Sequence, residues 1–87
     1  MVATAGISLI SVHYRGVYRG RAIHGTEWMP ADGTVGDFKK KIHYRGVVDC
    51  GMVWAADPAG NWIRERTPLS TLRTIFGVSV TVTDGAW

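Results

Sequence analysis

The side chains of this chain that could act as nucleophiles, proton carriers or metal ligands are Cys50, His13, His24 and His43. Their spacing follows no zinc-binding pattern, and a closed zinc site usually takes four ligands. A lone cysteine in an extended segment is more often a small buried hydrophobic side chain than a nucleophile. The acidic residues are scattered singly, and the sequence contains no glycine-rich phosphate loop and no HExxH signature. We therefore predict that the protein is not an enzyme and that it binds no metal or cofactor.

The basic residues are concentrated in the first half of the chain. Residues 1–46 contain seven basic and three acidic residues, whereas residues 47–87 contain three basic and four acidic residues. Such an imbalance favours attraction to an acidic partner. The predicted partner-binding cations are His13, Arg15, Arg19, Arg21, Lys39, Lys40 and Arg45.

The chain is also rich in tryptophan, with four in 87 residues. Trp54 and Trp62 flank a predicted turn, where both cannot easily be buried, and an exposed tryptophan beside arginine is typical of a binding hot spot. We predict that Val53, Trp54 and Trp62 anchor a partner. Trp87 follows Gly85 near the end of the sequence, and we predict that its large apolar ring also contacts a partner.

A different partner is suggested by the alternation of arginine and aromatic residues over residues 13–21, because aromatic rings stack on bases and arginine contacts phosphates. The net charge of +3 is small for a nucleic-acid-binding protein, and no RNA-binding signature is present. An RNA-contacting accessory subunit of the ribosome type remains an alternative.

The elements that position these residues are predicted in the order ββαββ(short helix)β. The first two strands form a hairpin over residues 6–28, with Gly16 and Gly20 bracketing its turn. A helix follows Thr34, which forms a capping box with Asp37, and ends at Gly46. Its apolar stripe is Val35, Phe38 and Ile42.

The second half is predicted to be mostly extended. We expect a strand over residues 47–55, a turn over residues 57–61, a short strand over residues 62–64 and a helical turn that begins at Pro68. In the last strand, valines at positions 78, 80 and 82 alternate with Ser79, Thr81 and Thr83, which predicts one buried and one solvated face.

The length predicts one α+β domain over residues 1–87, with short tails at 1–5 and 84–87. One cysteine cannot form an internal disulfide, which fits a reducing compartment, so we expect an intracellular, cytoplasmic protein. Residues 1–26 hold three arginines and no acidic residue, so a mitochondrion or another organelle is the alternative. No apolar run approaches the ~18–20 residues needed to cross a bilayer.

The span from Met52 through Leu69–Leu72 to the valine-rich strand, preceded by a hairpin and one capped helix, resembles the ubiquitin-like β-grasp superfamily. The resemblance implies one helix packed on a mixed sheet. The sequence ends Thr83-Asp84-Gly85-Ala86-Trp87 without the Gly-Gly tail of conjugated relatives, so conjugation and sulfur transfer are not expected. In the binding patch of ubiquitin, the third-strand position matches Val53. The outward residues of the last strand here are Ser79 and Thr81, so the resemblance implies only part of that patch.

The chain also resembles PB1-type interaction domains, in which a basic hairpin engages an acidic loop. Here the basic hairpin is present, while the loop over residues 57–62 keeps one carboxylate, Asp57. We therefore predict a protein–protein interaction module, an accessory or adaptor subunit of a larger assembly that docks an acidic protein surface. The alternatives are the RNA-contacting subunit and a small phage-encoded or secreted inhibitor that binds a host protein.

Overall fold

The computed structural model describes residues 8–49, 51–75 and 77–84. Its elements follow in chain order: β1 (Leu9–Tyr18), β2 (Arg21–Pro30), α1 (Val35–Tyr44), β3 (Trp54–Ala56), β4 (Trp62–Ile63), a 3₁₀ helix (Leu69–Leu72), β5 (Arg73–Thr74) and β6 (Gly77–Thr83). The predicted order is observed, with β5 as an addition. Cys50, Trp87 and all of the predicted tails except Asp84 lie outside the described residues.

The first two strands form a long antiparallel hairpin, paired from Leu9↔Pro30 to Tyr18↔Arg21. The turn is the two residues Arg19 and Gly20, whose φ angles of 53° and 75° match a turn that continues the twist of the strands. The prediction that Gly16 brackets this turn is wrong, because Gly16 lies within β1. A Cβ atom at Gly16 would overlap the backbone carbonyl of Val82, so glycine lets β1 and β6 approach each other.

Helix α1 begins and ends where the sequence predicts. The Thr34 hydroxyl accepts a hydrogen bond from the Asp37 amide at 3.2 Å, and the Asp37 carboxylate accepts one from the Thr34 amide at 3.1 Å. This reciprocal pair satisfies two amides that the first helical turn leaves open. Gly46, at φ 79°, takes the left-handed conformation that stops the helix.

The strand predicted over residues 47–55 is largely wrong, since strand pairing begins only at Trp54. Val47 and Val48 pack against the core from irregular backbone, so their apolar character reflects burial and not a strand. The Asp49 side chain then accepts a hydrogen bond from the Gly51 amide at 3.0 Å, which folds the chain into a local turn instead of a ladder.

The strands form one mixed sheet in the order β2-β1-β6-β3-β4, with β5 also paired to β6. Strand β6 runs parallel to β1 and antiparallel to β3, so it holds the two halves of the chain together. Helix α1 covers one face of this sheet, where the rings of Tyr14 and Phe38 meet edge to face with centroids 5.5 Å apart.

The predicted core residues Val35, Phe38, Ile42 and Leu69 are all fully buried, together with the valines of β6. Thr83 is an exception to the predicted alternation, because it is fully buried on the face expected to be solvated. Within the described ranges, no helix is long and apolar enough to span a membrane.

Candidate interaction face

Most of the sheet face opposite helix α1 is exposed, although Ala56 and Thr83 are buried there. Residues that are partners in the strand pairing share a face, so the register assigns every strand residue to one side. We call the side away from the helix the outer face. Its members include Ser11, His13, Arg15, Val17, Ala22, His24, Thr26, Trp28, Trp54, Ala56, Trp62, Ser79, Thr81 and Thr83.

Two tryptophans lie side by side at the β3–β4 end of the outer face. Trp54 is 55% exposed and Trp62 is 61% exposed, and their rings meet edge to face with centroids 6.5 Å apart and an angle of 73° between the planes. Such an arrangement contributes ~0.5–1.5 kcal/mol beyond area burial, so each ring holds its neighbour in place. The predicted proximity and exposure of these two residues are both observed.

The centre of the outer face is polar and cationic. Arg15 and His24 are direct partners across β1 and β2. The ring of His13 shares a 3.0 Å hydrogen bond with the Thr26 hydroxyl, which fixes its position on the sheet. Arg15 on β1 and Trp62 on β4 lie in one row across the sheet, with β6 and β3 between them. Because neighbouring strands are ~4.8 Å apart, the two residues are about 14 Å apart.

The hairpin tip holds two predicted cations, Arg19 and Arg21, which both neighbour Tyr18. The Arg19 guanidinium lies 5.5 Å from the Tyr18 ring centroid, and its backbone amide donates a 2.7 Å hydrogen bond to Asp84. Arg21, the partner of Tyr18, shares the helix side of the sheet. A single flat partner on the outer face therefore reaches Arg15 and His13 but not the Arg21 side chain.

Two of the predicted helix cations are already engaged within the domain. Lys39, with only 8% of its side chain exposed, donates a 2.8 Å hydrogen bond to Glu65, and this bond is the main cause that lowers the pKa of Glu65. Arg45 contacts the buried carboxylate of Glu27 with Nη2 at 3.0 Å and Nε at 3.2 Å. Both side chains therefore have a structural role within the fold, and their contribution to partner binding stays a prediction. Lys40 is exposed on the helix, away from the outer face.

Asp57, the one carboxylate of the loop expected to be acidic, closes its own turn. Its oxygens accept hydrogen bonds from the backbone amides of Asn61 at 2.9 Å and Ala59 at 3.0 Å. The Asn61 amide is the main cause that lowers the pKa of Asp57. Since this carboxylate is committed locally, the loop is a poor match to the acidic half of a PB1-type pair.

Sequence reasoning missed three contributors to the outer face: His24, Thr26 and Trp28, the last of which is 61% exposed. The alternation along β2 could have found them, because they occupy every second position from residue 24. His43 lies on the helix, with its ring nitrogen 3.9 Å from an Asp49 oxygen, so the three histidines do not converge. Among the described residues, no group of three or more His, Cys, Asp or Glu side chains could hold a metal ion.

Comparison with protein-family models and with curated protein sequences finds no match. Among solved structures, the chain is similar to the solution structure of the N-terminal ubiquitin-like domain in the 4931431F19Rik protein. The similarity covers 100% of this chain and 88% of that one, with a TM-score of 0.59 and 17% sequence identity. The chain has the ubiquitin-like β-grasp fold. At this level of identity the similarity establishes the architecture alone.

In the observed β-grasp fold, Val53 does not face outward from the third strand, as the resemblance to ubiquitin implied. Val53 is 3% exposed and packs in the core, so the prediction that its side chain anchors a partner is wrong. The residues of β3 that face outward are Trp54 and Ala56. The sequence register was off by one, and an offset of one residue moves a side chain to the other face of a sheet.

Proposed function

We propose that this ubiquitin-like domain is a non-catalytic protein-interaction module that docks an acidic partner through its outer face. It would serve as an accessory or adaptor subunit of a larger assembly. The observation that carries the proposal is the exposed Trp54–Trp62 pair on the same face as His13 and Arg15. Exposed tryptophan and arginine side chains are enriched among interface hot spots.

The tryptophan pair supplies the apolar part of the contact. A tryptophan can bury ~150–250 Å² of surface, so covering the exposed halves of both rings removes about 200–300 Å² from water. At ~25 cal/mol per Å² this is about 5–7 kcal/mol of gross favourable free energy, against which the cost of association must be set. The cations of the outer face and hairpin tip raise the rate of encounter with an acidic surface and fix its orientation.

The test is affinity capture from the native source by the wild-type domain and by the Trp54→Ser/Trp62→Ser variant, with captured proteins identified by mass spectrometry. The matched control is Tyr44→Ser, which removes an aromatic ring that is 85% exposed on the helix. We expect a partner whose affinity falls about 30-fold or more in the double variant and is unchanged in the control. A partner that both variants retain equally would refute this interface.

A second measurement tests the electrostatic part. The affinity for the captured partner should fall as ionic strength rises, because exposed charges are screened within ~10 Å at 0.1 M salt. Arg15→Gln should reduce this salt dependence, whereas Arg66→Gln, an exposed arginine outside the outer face, should leave it unchanged. An affinity that does not change with salt would refute the role of these charges in attracting the partner.

An RNA-contacting role is the competing function, because the outer face combines exposed tryptophans with arginine and histidine, as nucleic-acid-binding sheets do. A gel shift with single-stranded and duplex RNA separates the two functions. We expect weak binding without preference for either form. Tight single-strand binding that depends on Trp54 and Trp62 would favour the RNA function instead.

A further inference from the structure

A depression of about 470 Å³ lies at the centre of the outer face. Three neighbouring strands line it: β2 with His24 and Thr26, β1 with His13 and Arg15, and β6 with Ser79 and Thr81. Pro58, from the turn between β3 and β4, also lines it. Nearly every outer-face side chain that lines the depression can donate a hydrogen bond.

The donors are close enough to act on one group. Arg15 and His24 are direct cross-strand partners, whose Cβ atoms lie ~4.5–5.5 Å apart, and His13 follows on the same face of β1 at about 7 Å. Within the described chain, neither the Arg15 side chain nor the His24 side chain forms a hydrogen bond or ion pair. Their capacity to donate is therefore available to a ligand.

The charge around the depression is positive. The groups that face it are His13 and Arg15 from β1 and His24 from β2, while β6 and β3 contribute uncharged residues. The nearest acid on the adjoining turn is Asp57, whose oxygens already accept bonds from Ala59 and Asn61. Glu27, also on β2, points to the opposite face and pairs with Arg45.

We propose that this depression binds a phosphoryl group, carried by a phosphorylated serine or threonine in an extended segment of the partner. A phosphoryl dianion offers three acceptor oxygens, which suits a ring of one guanidinium, two imidazoles and several hydroxyls better than the two oxygens of a carboxylate. This inference rests on the proposed function, since it names what the docking partner presents to the outer face.

A peptide fits the face better than a nucleic acid strand. Single-stranded nucleic acids are held along a continuous cationic groove. Here one cationic cluster is flanked by Asp57 on one side and by Asp84, at the hairpin tip, on another. The charge pattern suits one anionic group, not a backbone that carries a charge at every step.

The geometry also sets the spacing of the partner's residues. Arg15, Thr81, Ala56 and Trp62 form one row across β1, β6, β3 and β4. The row spans about 14 Å from Arg15 to Trp62, which an extended peptide covers in about four residues at ~3.3–3.6 Å each. The expected ligand therefore has a phosphorylated residue and an apolar residue about four positions apart.

The test uses a synthetic heptapeptide of glycine, alanine and serine, with phosphoserine at the third position and phenylalanine at the seventh. NMR titration of the ¹³C- and ¹⁵N-labelled domain at pH 6.5 follows the imidazole signals of His13 and His24 and the amide of Thr81. The comparison ligands are the unphosphorylated peptide, inorganic phosphate and an oligouridylate. The variants are Arg15→Gln and, as the control on the helix side of the sheet, Arg21→Gln.

We expect the phosphopeptide to shift the signals of both histidines and to bind at least about 10-fold more tightly than the unphosphorylated peptide. Arg15→Gln should weaken it about 10-fold, and Arg21→Gln should leave it unchanged.

Equal affinity for the two peptides, or shifts confined to the helix side, would overturn the proposal. The proposal would also be overturned if inorganic phosphate bound as tightly as the phosphopeptide, because the free anion would then be the ligand. Tighter binding of the oligouridylate would overturn it too. If the phosphopeptide fails while capture still depends on Trp54 and Trp62, the phosphoryl site falls and the protein-interaction function stands. If capture does not depend on the tryptophans while the phosphopeptide binds, the phosphoryl site stands and the role of the tryptophan pair in docking is refuted.

Discussion

Arg45 fastens the end of helix α1 to β2, and its removal should destabilise the domain much more than removal of its partner. The Glu27 side chain is 8% exposed, whereas the Arg45 side chain is 61% exposed. Arg45→Met keeps the apolar stem but leaves the buried carboxylate without its cation. Losing one partner of a fully buried pair costs ~3–5 kcal/mol, and solvent access on the arginine side reduces this to about 2–3 kcal/mol here.

The reverse change has a small cost, because Glu27→Leu leaves an arginine that water can solvate. We expect Glu27→Leu to cost about 0–1 kcal/mol, and the double variant to be no less stable than Arg45→Met alone. For a domain of this size, 2–3 kcal/mol corresponds to a Tm lower by about 10–20 °C.

Urea unfolding followed by circular dichroism gives the free energy of unfolding for each variant. Lys40→Met, which removes an exposed cation from the same helix, is the matched control and should change stability by less than about 0.5 kcal/mol. If Arg45→Met costs no more than Lys40→Met, or if the two single effects simply add, the pair is not coupled. The assignment of Arg45 to a structural role would then be refuted.

Three further predictions concern the fold. Gly16→Ala should lower the free energy of unfolding in urea by about 3 kcal/mol or more, because the new Cβ would overlap the Val82 carbonyl. Gly20→Ala has open space around it and should cost only about 1 kcal/mol, for its positive φ. Similar costs for the two variants would contradict the close approach of β1 and β6. Thr34→Ala should cost about 1 kcal/mol by removing half of the capping box, and an amide exchange rate at Asp37 that does not rise would contradict this. The pKa values of Asp57 and Glu65 are lowered from 3.8 and 4.5, so the stability that these carboxylates contribute is present above those values and is lost as pH falls through their lower folded-state pKa values. The free energy of unfolding, measured from pH 5 to 2.5, should therefore fall less steeply in the Asp57→Asn/Glu65→Gln variant than in the wild type. Parallel curves for the two proteins would contradict this linkage.

The elements with strong local signals were predictable from the sequence. The capping box at Thr34, the left-handed Gly46 and the alternating valines of β6 each express a local rule, and each is observed. Together with the element order, they were sufficient for the ubiquitin-like β-grasp fold.

The features that depend on tertiary contacts were not predictable in the same way. Val47 and Val48 have strand-like composition, yet they are buried by packing without pairing. The off-by-one assignment of Val53 arose because β3 is only three residues long and its register is set by β6, far away in the chain. Lys39 and Arg45 looked like free cations, because their partners Glu65 and Glu27 lie 26 and 18 residues away.

The most direct test of the account asks which face of the domain meets the partner. A photo-reactive phenylalanine analogue placed at Ser79, in the middle of the outer face, should form a discrete cross-link to a protein in extracts of the native source. The same probe at Lys40, on the exposed side of the helix, should form none. Cross-linking from Lys40 but not from Ser79 would place the interface on the helix and contradict the account.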